Sequence, residues 1–231
     1  MNRQQFFRAG LKTLGAVSIL PLLSYCEKDE ALTLDDDGST TGDCAVSPSE
    51  TEGPYPTKNP SSLVQTDITA DRAGLPLDIT LTVQDRNNLC AAIEGVIVDI
   101  WHCDQDGNYS EYGSSALSQL HFLRGRQTTN AAGQVSFRSI YPGWYRGRAP
   151  HLHLHIYSSG GESLLVTQTA FPEEVSDLVY TTVDGYTGRG TQDTSNSSDG
   201  IFRDSLSAQL AQLSGDTTDG YQLTHTIVVN A

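Results

Sequence analysis

Three of the six histidines of this chain stand at alternate positions, in His151-Leu152-His153-Leu154-His155. In an extended strand alternate side chains share one face, so the three imidazoles would project together while the leucines face a core. Imidazoles grouped in this way form a candidate metal site, for which zinc or copper would be the default ion. A single histidine is more often a packed or surface residue, but the row as a whole predicts a metal-binding strand.

Two tyrosines and an arginine accompany the histidine row. The segment Tyr141-Pro142-Gly143-Trp144-Tyr145-Arg146-Gly147-Arg148 ends just before His151, and Tyr109 follows the turn-forming residues Asp106-Gly107-Asn108. Taken singly, either tyrosine would be a packing residue whose hydroxyl caps a carbonyl group. A phenolate is nevertheless a hard oxygen ligand that suits a ferric ion. The combination therefore favours iron over the zinc or copper that histidines alone would suggest.

The elements that position these residues are predicted to be strands. Leu77, Ile79, Leu81 and Val83 alternate with polar residues, which is the period of a strand with one buried face. Similar patterns predict further strands around 96–100, 135–137, 152–156, 164–169 and 221–229. With 21 glycines, 9 prolines and only 18% charged residues, the composition favours an all-β fold, namely a β-sandwich with long active-site loops.

Two segments lie outside the strand pattern. Residues 203–213 fit a helical face through Leu206, Leu210 and Leu213, yet residues 215–220 read as a hairpin turn. Residues 184–200 are rich in Gly, Thr, Ser, Asn and Asp, which predicts a long loop, and loops of that length are often functional.

The first 25 residues are predicted to be an export signal rather than part of the domain. Arg3, Arg8 and Lys12 precede an apolar stretch that is too short to span a bilayer, as in a signal peptide. The stretch ends in a lipobox-like sequence at Cys26, which is a possible lipid anchor, although Tyr25 departs from that motif. We therefore expect a signal peptide at 1–25, an acidic flexible tether at 26–43, a domain at 44–231, and a periplasmic or outer-membrane, cell-surface lipoprotein.

Charge and cysteine content limit the partners and the cross-links. The net charge of −14 excludes a phosphate-tracking basic surface, so no nucleic acid is expected to bind. Three cysteines remain beside Cys26, and Cys90 and Cys103 are predicted near opposite ends of one strand, beyond the roughly 7 Å Cα separation of a disulfide. We expect a bridge from Cys44 to one of those two.

Several ordered motifs resemble the intradiol ring-cleavage dioxygenases, the family of protocatechuate and catechol dioxygenases. They are Ser49-Glu50-Thr51-Glu52-Gly53-Pro54-Tyr55, the stretch from Val96 to Tyr109, the Pro-Gly-Trp-Tyr sequence ending at Tyr145, the His151-Leu152-His153 pair and a late segment from Gly190 to Phe202. The short stretch between Tyr145 and His151 is similar to that of exported single-domain members. The resemblance implies a β-sandwich that begins near Cys44.

The same resemblance implies a reaction and a set of site residues. Tyr109, Tyr145, His151 and His153 would hold Fe(III), and an aromatic diol would be cleaved by O2 between its hydroxyl-bearing carbons to give a muconate-type dicarboxylate. Tyr145 would also accept a substrate proton, Arg148 would stabilise developing negative charge, and Gln168 would orient the reactants. His155 has no assigned role, and the diol and the oligomeric state stay open.

Two other functions fit part of the pattern. An exported, non-catalytic β-sandwich that binds a metal or a glycan would have the same strands, since fold does not determine function. A zinc or copper capture site on the histidine row is the second. Neither alternative needs Tyr109 or Tyr145, so the position of these tyrosines relative to the histidines discriminates between the hypotheses.

Overall fold

The computed structural model of the protein describes residues 33–34, 40–41 and 44–231. The predicted signal peptide, Cys26 and most of the predicted tether lie outside these ranges. Within the tether, Thr33–Leu34 (β1) and Thr40–Thr41 (β2) pair as two short antiparallel strands. Among the described residues, no helix is both long enough and apolar enough to cross a membrane.

Residues 44–231 form two antiparallel-rich sheets. The strands are β3 (Pro76–Asp85), β4 (Ala91–Ala92), β5 (Ile97–Trp101), β6 (Arg124–Thr128), β7 (Gln134–Ile140), β8 (His151–Tyr157), β9 (Ser163–Ala170), β10 (Gln212–Asp216) and β11 (Gly220–Val229). In the first sheet the order is β10-β11-β3-β4, with β7 also paired to β3, and β11 runs parallel to β3. In the second sheet the order is β6-β5-β8-β9.

The two sheets pack face to face, as the alternating sequence pattern predicts. Leu77, Ile79 and Leu81 of β3 are completely buried, and Leu152 and Leu154 of β8 are buried in the same core cluster. Each such side chain contributes about 1.5–3 kcal/mol by leaving water. The predicted all-β sandwich is therefore confirmed, and the histidines of β8 point away from this core.

Within residues 44–231, two α-helices accompany the sheets: α1 (Glu173–Thr182) and α2 (Leu206–Gln209). Short 3-10 turns lie at Pro60–Ser62, Arg86–Asn88 and Thr187–Arg189. In the ambiguous segment 203–213 the predicted helical face is only partly formed, because Leu206 lies in α2 whereas Leu213 lies in β10. The predicted hairpin turn is confirmed, since Asp216 of β10 pairs with Gly220 of β11.

One disulfide joins Cys44 to Cys90, with a Cα separation of 6.0 Å. Cys103 is a buried free thiol. The prediction that Cys90 and Cys103 flank a single strand is wrong, because Cys90 precedes β4 in the first sheet whereas Cys103 follows β5 in the second. Gly95 breaks the extended run between these strands, since its φ of +83° lies in the left-handed region.

Candidate active site

The site lies on the outer face of the second sheet, opposite the core. The register places Trp101 of β5 beside His153 of β8, and His153 beside Gln168 of β9. Directly opposed residues share a face, so these three side chains form one row across the sheet. The indole ring of Trp101 stacks on the His153 imidazole with parallel planes and centroids 5.0 Å apart. This stacking fixes the plane of the His153 ring.

A strap formed by residues 49–58 covers the outer face of the second sheet. The Glu50 N–H donates to the Val166 carbonyl at 2.8 Å, and Glu52 Oε1 lies 3.0 Å from His155 Nδ1. At Gly53 the strap passes so close that a Cβ there would lie 2.9 Å from His153 Cε1. The strap therefore buries the imidazoles that the alternating pattern brings together.

Three ligand-type atoms converge beneath the strap. Nε2 of His151 lies 3.0 Å from Nε2 of His153, and the Tyr109 hydroxyl is 3.3 Å from each of these nitrogens. All three side chains are at least 95% buried. Such a convergence of buried lone pairs is unfavourable unless protons or a cation lie between them.

Burial keeps both histidines neutral. It lowers the pKa of His151 to about 3, and the charge of Arg148 adds to this effect. It also lowers the pKa of His153 well below its ordinary value, with further contributions from His151 and Arg148. Since Nδ1 of His151 lies 2.6 Å from the Ala149 carbonyl, which can only accept, the network assigns the proton to Nδ1 and the lone pair to Nε2.

The two tyrosines differ in their surroundings. Burial raises the pKa of the Tyr109 phenol well above its usual range, so a phenolate there needs a nearby cation. Tyr145 is only partly buried, and its hydroxyl lies 3.0 Å from the Tyr55 hydroxyl. The rings of Tyr109 and Tyr145 meet edge to face, with centroids 6.2 Å apart. Tyr145 is therefore the more accessible of the two tyrosines, and Tyr109 is the more deeply buried.

Arg148 is held beside the histidines by two partners. Its Nε donates to Asp199 at 2.8 Å, and its Nη2 donates to the Gln168 side-chain oxygen at 2.7 Å. Gln168 in turn donates from Nε2 to the Thr51 carbonyl at 2.8 Å, which ties this network to the strap. Burial raises the pKa of Asp199, but the hydrogen bonds from Arg148, Ile201 and Ala149 outweigh it and leave that pKa lowered. Asp199 is therefore an anion.

A small cavity opens onto the tyrosine side of the cluster. Its volume is about 130 Å³. Its walls are aromatic, apolar or amide surfaces without a charged side chain: Tyr55, Gly107, Asn108, Tyr109, Tyr112, Gly113, Leu117 and Tyr145. The cavity can therefore receive a compact, uncharged aromatic molecule next to Tyr109 and Tyr145.

Comparison with known proteins assigns the family. Residues 51–208 match a family model described as Dioxygenase. The structure superposes on an intradiol ring-cleavage dioxygenase from Tetranychus urticae with a TM-score of 0.74 and 29% identity, covering 81% of this chain and 95% of that chain. This chain belongs to the intradiol ring-cleavage dioxygenase family.

The chain is also similar to two curated proteins from Rhodococcus opacus and Acinetobacter lwoffii. It is 30% identical to a chlorocatechol 1,2-dioxygenase of Rhodococcus opacus over 154 residues, which are 58% of this chain and 57% of that protein. It is 28% identical to catechol 1,2-dioxygenase 1 of Acinetobacter lwoffii over 187 residues, which are 72% of this chain and 58% of that protein. The chain thus spans little more than half the length of these two relatives.

The structure brings most of the residues predicted from the sequence into one place. Tyr109, His151 and His153 form the cluster, and Tyr145 borders it. Arg148 and Gln168 lie together beside it, but both ends of the Gln168 amide are engaged by protein groups, so Gln168 braces Arg148. His155, which sequence reasoning left without a role, points its Nε2 to Ser163 and its Nδ1 towards Glu52 and Tyr157.

The donor set fits a ferric ion. The described residues contain no group of three or more His, Cys, Asp or Glu side chains that could hold a metal, so a metal here depends on tyrosine oxygens. Nε2 of His151, Nε2 of His153 and the Tyr109 hydroxyl lie within 3.3 Å of one another, so they are close enough to bind one ion together. Two phenolates would leave a ferric ion with one net positive charge, which this buried site tolerates better than three.

Sequence reasoning missed several residues that build the site. Arg124 is completely buried and donates to the carbonyls of Ser110 and Tyr55, so it joins the turn after Tyr109 to the strap. Gln209 donates to both Glu50 and the Gln168 carbonyl. Neither residue belongs to a local motif, because their partners are far away in the sequence.

Proposed function

We propose that this protein is a non-haem iron(III) enzyme that cleaves a catechol-type diol between its two hydroxyl-bearing carbons. The observation that carries the proposal is the convergence of the Tyr109 hydroxyl on Nε2 of His151 and of His153 in a buried site. A zinc or copper capture site on the histidine row has no need of Tyr109, and a glycan-binding sandwich needs none of the three. Family membership supports the same reaction.

The overall reaction is balanced by the diol and O2 alone. Both oxygen atoms enter the product, the bond between the two hydroxyl-bearing carbons breaks, and a dicarboxylic acid forms. A bound ferric ion would act as a Lewis acid that favours the doubly deprotonated diol, the form that reacts with O2. Tyr109, Tyr145, His151 and His153 would hold the ion.

The protein side chains have separate tasks in this reaction. Tyr109 is the more deeply buried tyrosine, so it would stay in place as an anionic ligand. Tyr145 borders the cavity, where its phenolate oxygen can accept a proton from the arriving diol and keep it within the hydrogen bond to Tyr55. Arg148 stabilises the negative charge that develops on the substrate, which is worth several kcal/mol in a water-poor site.

The cavity supports a small, uncharged catechol as the substrate. A volume of about 130 Å³ suits a single ring, since a cavity of roughly 150 Å³ binds benzene. Two cations near its walls are hydrogen-bonded to backbone carbonyls: Lys58 Nζ donates to that of Glu111, and Arg189 Nη1 donates to that of Trp144, both at 2.7 Å. No charged side chain lines the cavity itself, so a carboxylate on the ring would have no ion-pair partner among the lining residues.

The reaction is tested with catechol and ¹⁸O2 on the iron-loaded protein. The proposal predicts a dicarboxylic acid that contains both labelled atoms. It also predicts that kcat/KM for 3,4-dihydroxybenzoate is lower than that for catechol by about 100-fold or more, because a carboxylate would be left unpaired. If the iron-loaded protein formed no ring-opened product from any catechol tested, the enzymatic function would be refuted.

A pair of variants tests the substrate class separately. Leu117 lines the cavity, so Leu117→Lys would place a cation there, whereas Leu117→Met keeps the wall apolar. We expect only the lysine variant to gain activity on 3,4-dihydroxybenzoate relative to catechol. Equal use of both diols by the unaltered protein would contradict the proposal that the diol is uncharged.

We also propose export of the protein to the periplasm or to the cell surface. The positively charged start, the apolar stretch up to residue 25 and the lipobox-like Cys26 support this proposal. Mass spectrometry of the membrane fraction tests it: a mature protein that begins with a lipidated Cys26 is expected. A cytoplasmic protein that retains Met1 would contradict it.

A further inference from the structure

Asp199 is a completely buried carboxylate next to the proposed catalytic arginine. Burying an ionised carboxylate costs several kcal/mol unless every oxygen is well partnered. Here Oδ2 accepts from Arg148 Nε and from the Ala149 N–H, and Oδ1 accepts from the Ile201 N–H, all at 2.8 Å. The chain has thus placed a fully satisfied anion at this point in the long loop after α1.

The first effect of Asp199 is on the direction of the Arg148 guanidinium. Asp199 occupies Nε, and Gln168 occupies Nη2. Within residues 44–231, Nη1 of Arg148 makes no hydrogen bond to a protein atom. The Arg148 guanidinium is thereby held in one orientation, and its Nη1 is available to donate to the negative charge that develops on a substrate.

The second effect of Asp199 reaches the histidine through the backbone. The same oxygen that accepts from Arg148 accepts the Ala149 N–H, and the Ala149 carbonyl accepts the proton of His151 Nδ1 at 2.6 Å. Asp199 thus holds the Arg148–Ala149 peptide, and through the Ala149 backbone it restrains the following peptide, whose carbonyl turns the His151 lone pair towards His153 and Tyr109. One carboxylate therefore anchors two parts of the site.

We infer that Asp199 is a positioning residue that aligns Arg148 for charge stabilisation and, through the backbone of Ala149, holds His151 in its ligating orientation. This inference rests on the proposed function. Asp199 touches neither the cavity nor the reacting atoms, so its removal slows the reaction more than it weakens diol binding.

The test compares Asp199→Ala with the matched control Asp193→Ala. Asp193 lies in the same loop, is exposed, and accepts from the Gly147 N–H at 2.9 Å, so it anchors the neighbouring backbone without touching Arg148. We expect kcat on catechol to fall about 10–100-fold in Asp199→Ala and less than about 3-fold in Asp193→Ala. The affinity for catechol, measured by anaerobic spectral titration, should change less than about 3-fold in both.

Equal kcat values in the two variants would overturn the inference, and so would a loss confined to catechol affinity. If Asp199→Ala does not fold, Asp199→Asn replaces it. The amide keeps the shape but loses the charge and turns an NH2 towards a donor, so at least about a 3-fold loss of kcat is expected. A kcat equal to that of the unaltered protein in that variant would equally overturn the inference.

A second measurement needs no turnover. The ¹⁵N signals of His151 report its tautomer in the metal-free protein. We expect the Nδ1-protonated form in the unaltered protein and in Asp193→Ala, and a mixture of tautomers in the Asp199 variant. An unchanged His151 tautomer in the Asp199 variant would overturn the backbone part of the inference. Failure of the unaltered protein to cleave catechol would refute only the proposed function, because the tautomer is measured without turnover.

Discussion

Substitution of Gly53 by alanine tests how closely the strap covers the histidines. The φ of +69° at this position costs an L-residue about 1–2 kcal/mol. The new methyl group would also lie 2.9 Å from His153 Cε1, and such overpacking costs about 1–3 kcal/mol. The strap cannot easily retreat, because hydrogen bonds hold Glu50 and Thr51 on one side of Gly53 and Arg124 holds Tyr55 on the other.

Urea unfolding at equilibrium measures the cost, and Gly161→Ala is the matched control. Gly161 has a similar φ of +87°, but a Cβ there would contact nothing within 4 Å. The control should lose about 1–2 kcal/mol from backbone strain alone, whereas Gly53→Ala should lose about 2–5 kcal/mol. Iron content should fall only in Gly53→Ala, because the contact displaces His153.

A close fit of the strap over His153 would be refuted if the two alanine variants lost the same stability and kept the same iron content. That result would mean that the strap moves freely above His153. The burial of the imidazoles would then need a different physical cause.

Three further predictions concern other parts of the domain. Replacing Cys44 and Cys90 by serine opens a loop with a sequence separation of 46 residues; loop entropy predicts a loss of about 4 kcal/mol, and a loss below about 1 kcal/mol in urea unfolding would contradict this prediction. Burial lowers the pKa of His102 to about 4, so the unfolded state binds more protons than the folded state between pH 6.5 and 4. Acidification through this window should therefore destabilise the native protein by about 3 kcal/mol more than it destabilises His102→Gln. Parallel plots of unfolding free energy against pH for the two proteins would refute the assignment. Tyr55→Phe removes the hydroxyl that meets Tyr145; kcat should fall about 10-fold with little change in stability, and an unaltered kcat would show that Tyr145 needs no such partner.

Much of the fold can be predicted from the sequence, because strand alternation is a local signal. Leu77, Ile79, Leu81 and Val83 predict β3, and the histidine row predicts β8 with its inner leucines. In contrast, β6 (Arg124–Thr128) has no apolar alternation. It is a strand because it pairs with β5 and because Arg124 is buried and hydrogen-bonded. Local periodicity cannot identify such a strand.

The helix α1 was missed although a signal was present. Pro172 precedes it, and Glu173 and Glu174 lie in its first turn, where acidic side chains stabilise the helix dipole. Only Ser176, Val179 and Tyr180 are buried, so the apolar stripe is too short to stand out against the strand patterns around it.

The sequence predicts the main residues of the candidate site, but not the hydrogen-bond partners that hold them in place. Tyr109, His151 and His153 belong to motifs with recognisable spacing, so the sequence identified them. The partners of Arg148 are set by contacts over 20 and 51 positions, and no local pattern encodes that distance. Asp199 was noticed only as part of a loop, because its three hydrogen bonds exist only in the folded chain.

A ferric centre ligated by tyrosine is tested most directly by the visible absorption spectrum and iron content of the purified protein and of Tyr109→Phe. We expect close to one iron per chain and a broad tyrosinate-to-iron band that shifts to longer wavelength when catechol is added without oxygen. Tyr109→Phe should lose most of this colour and its activity. A colourless protein that binds zinc or copper equally well with and without Tyr109 would contradict the proposed iron centre.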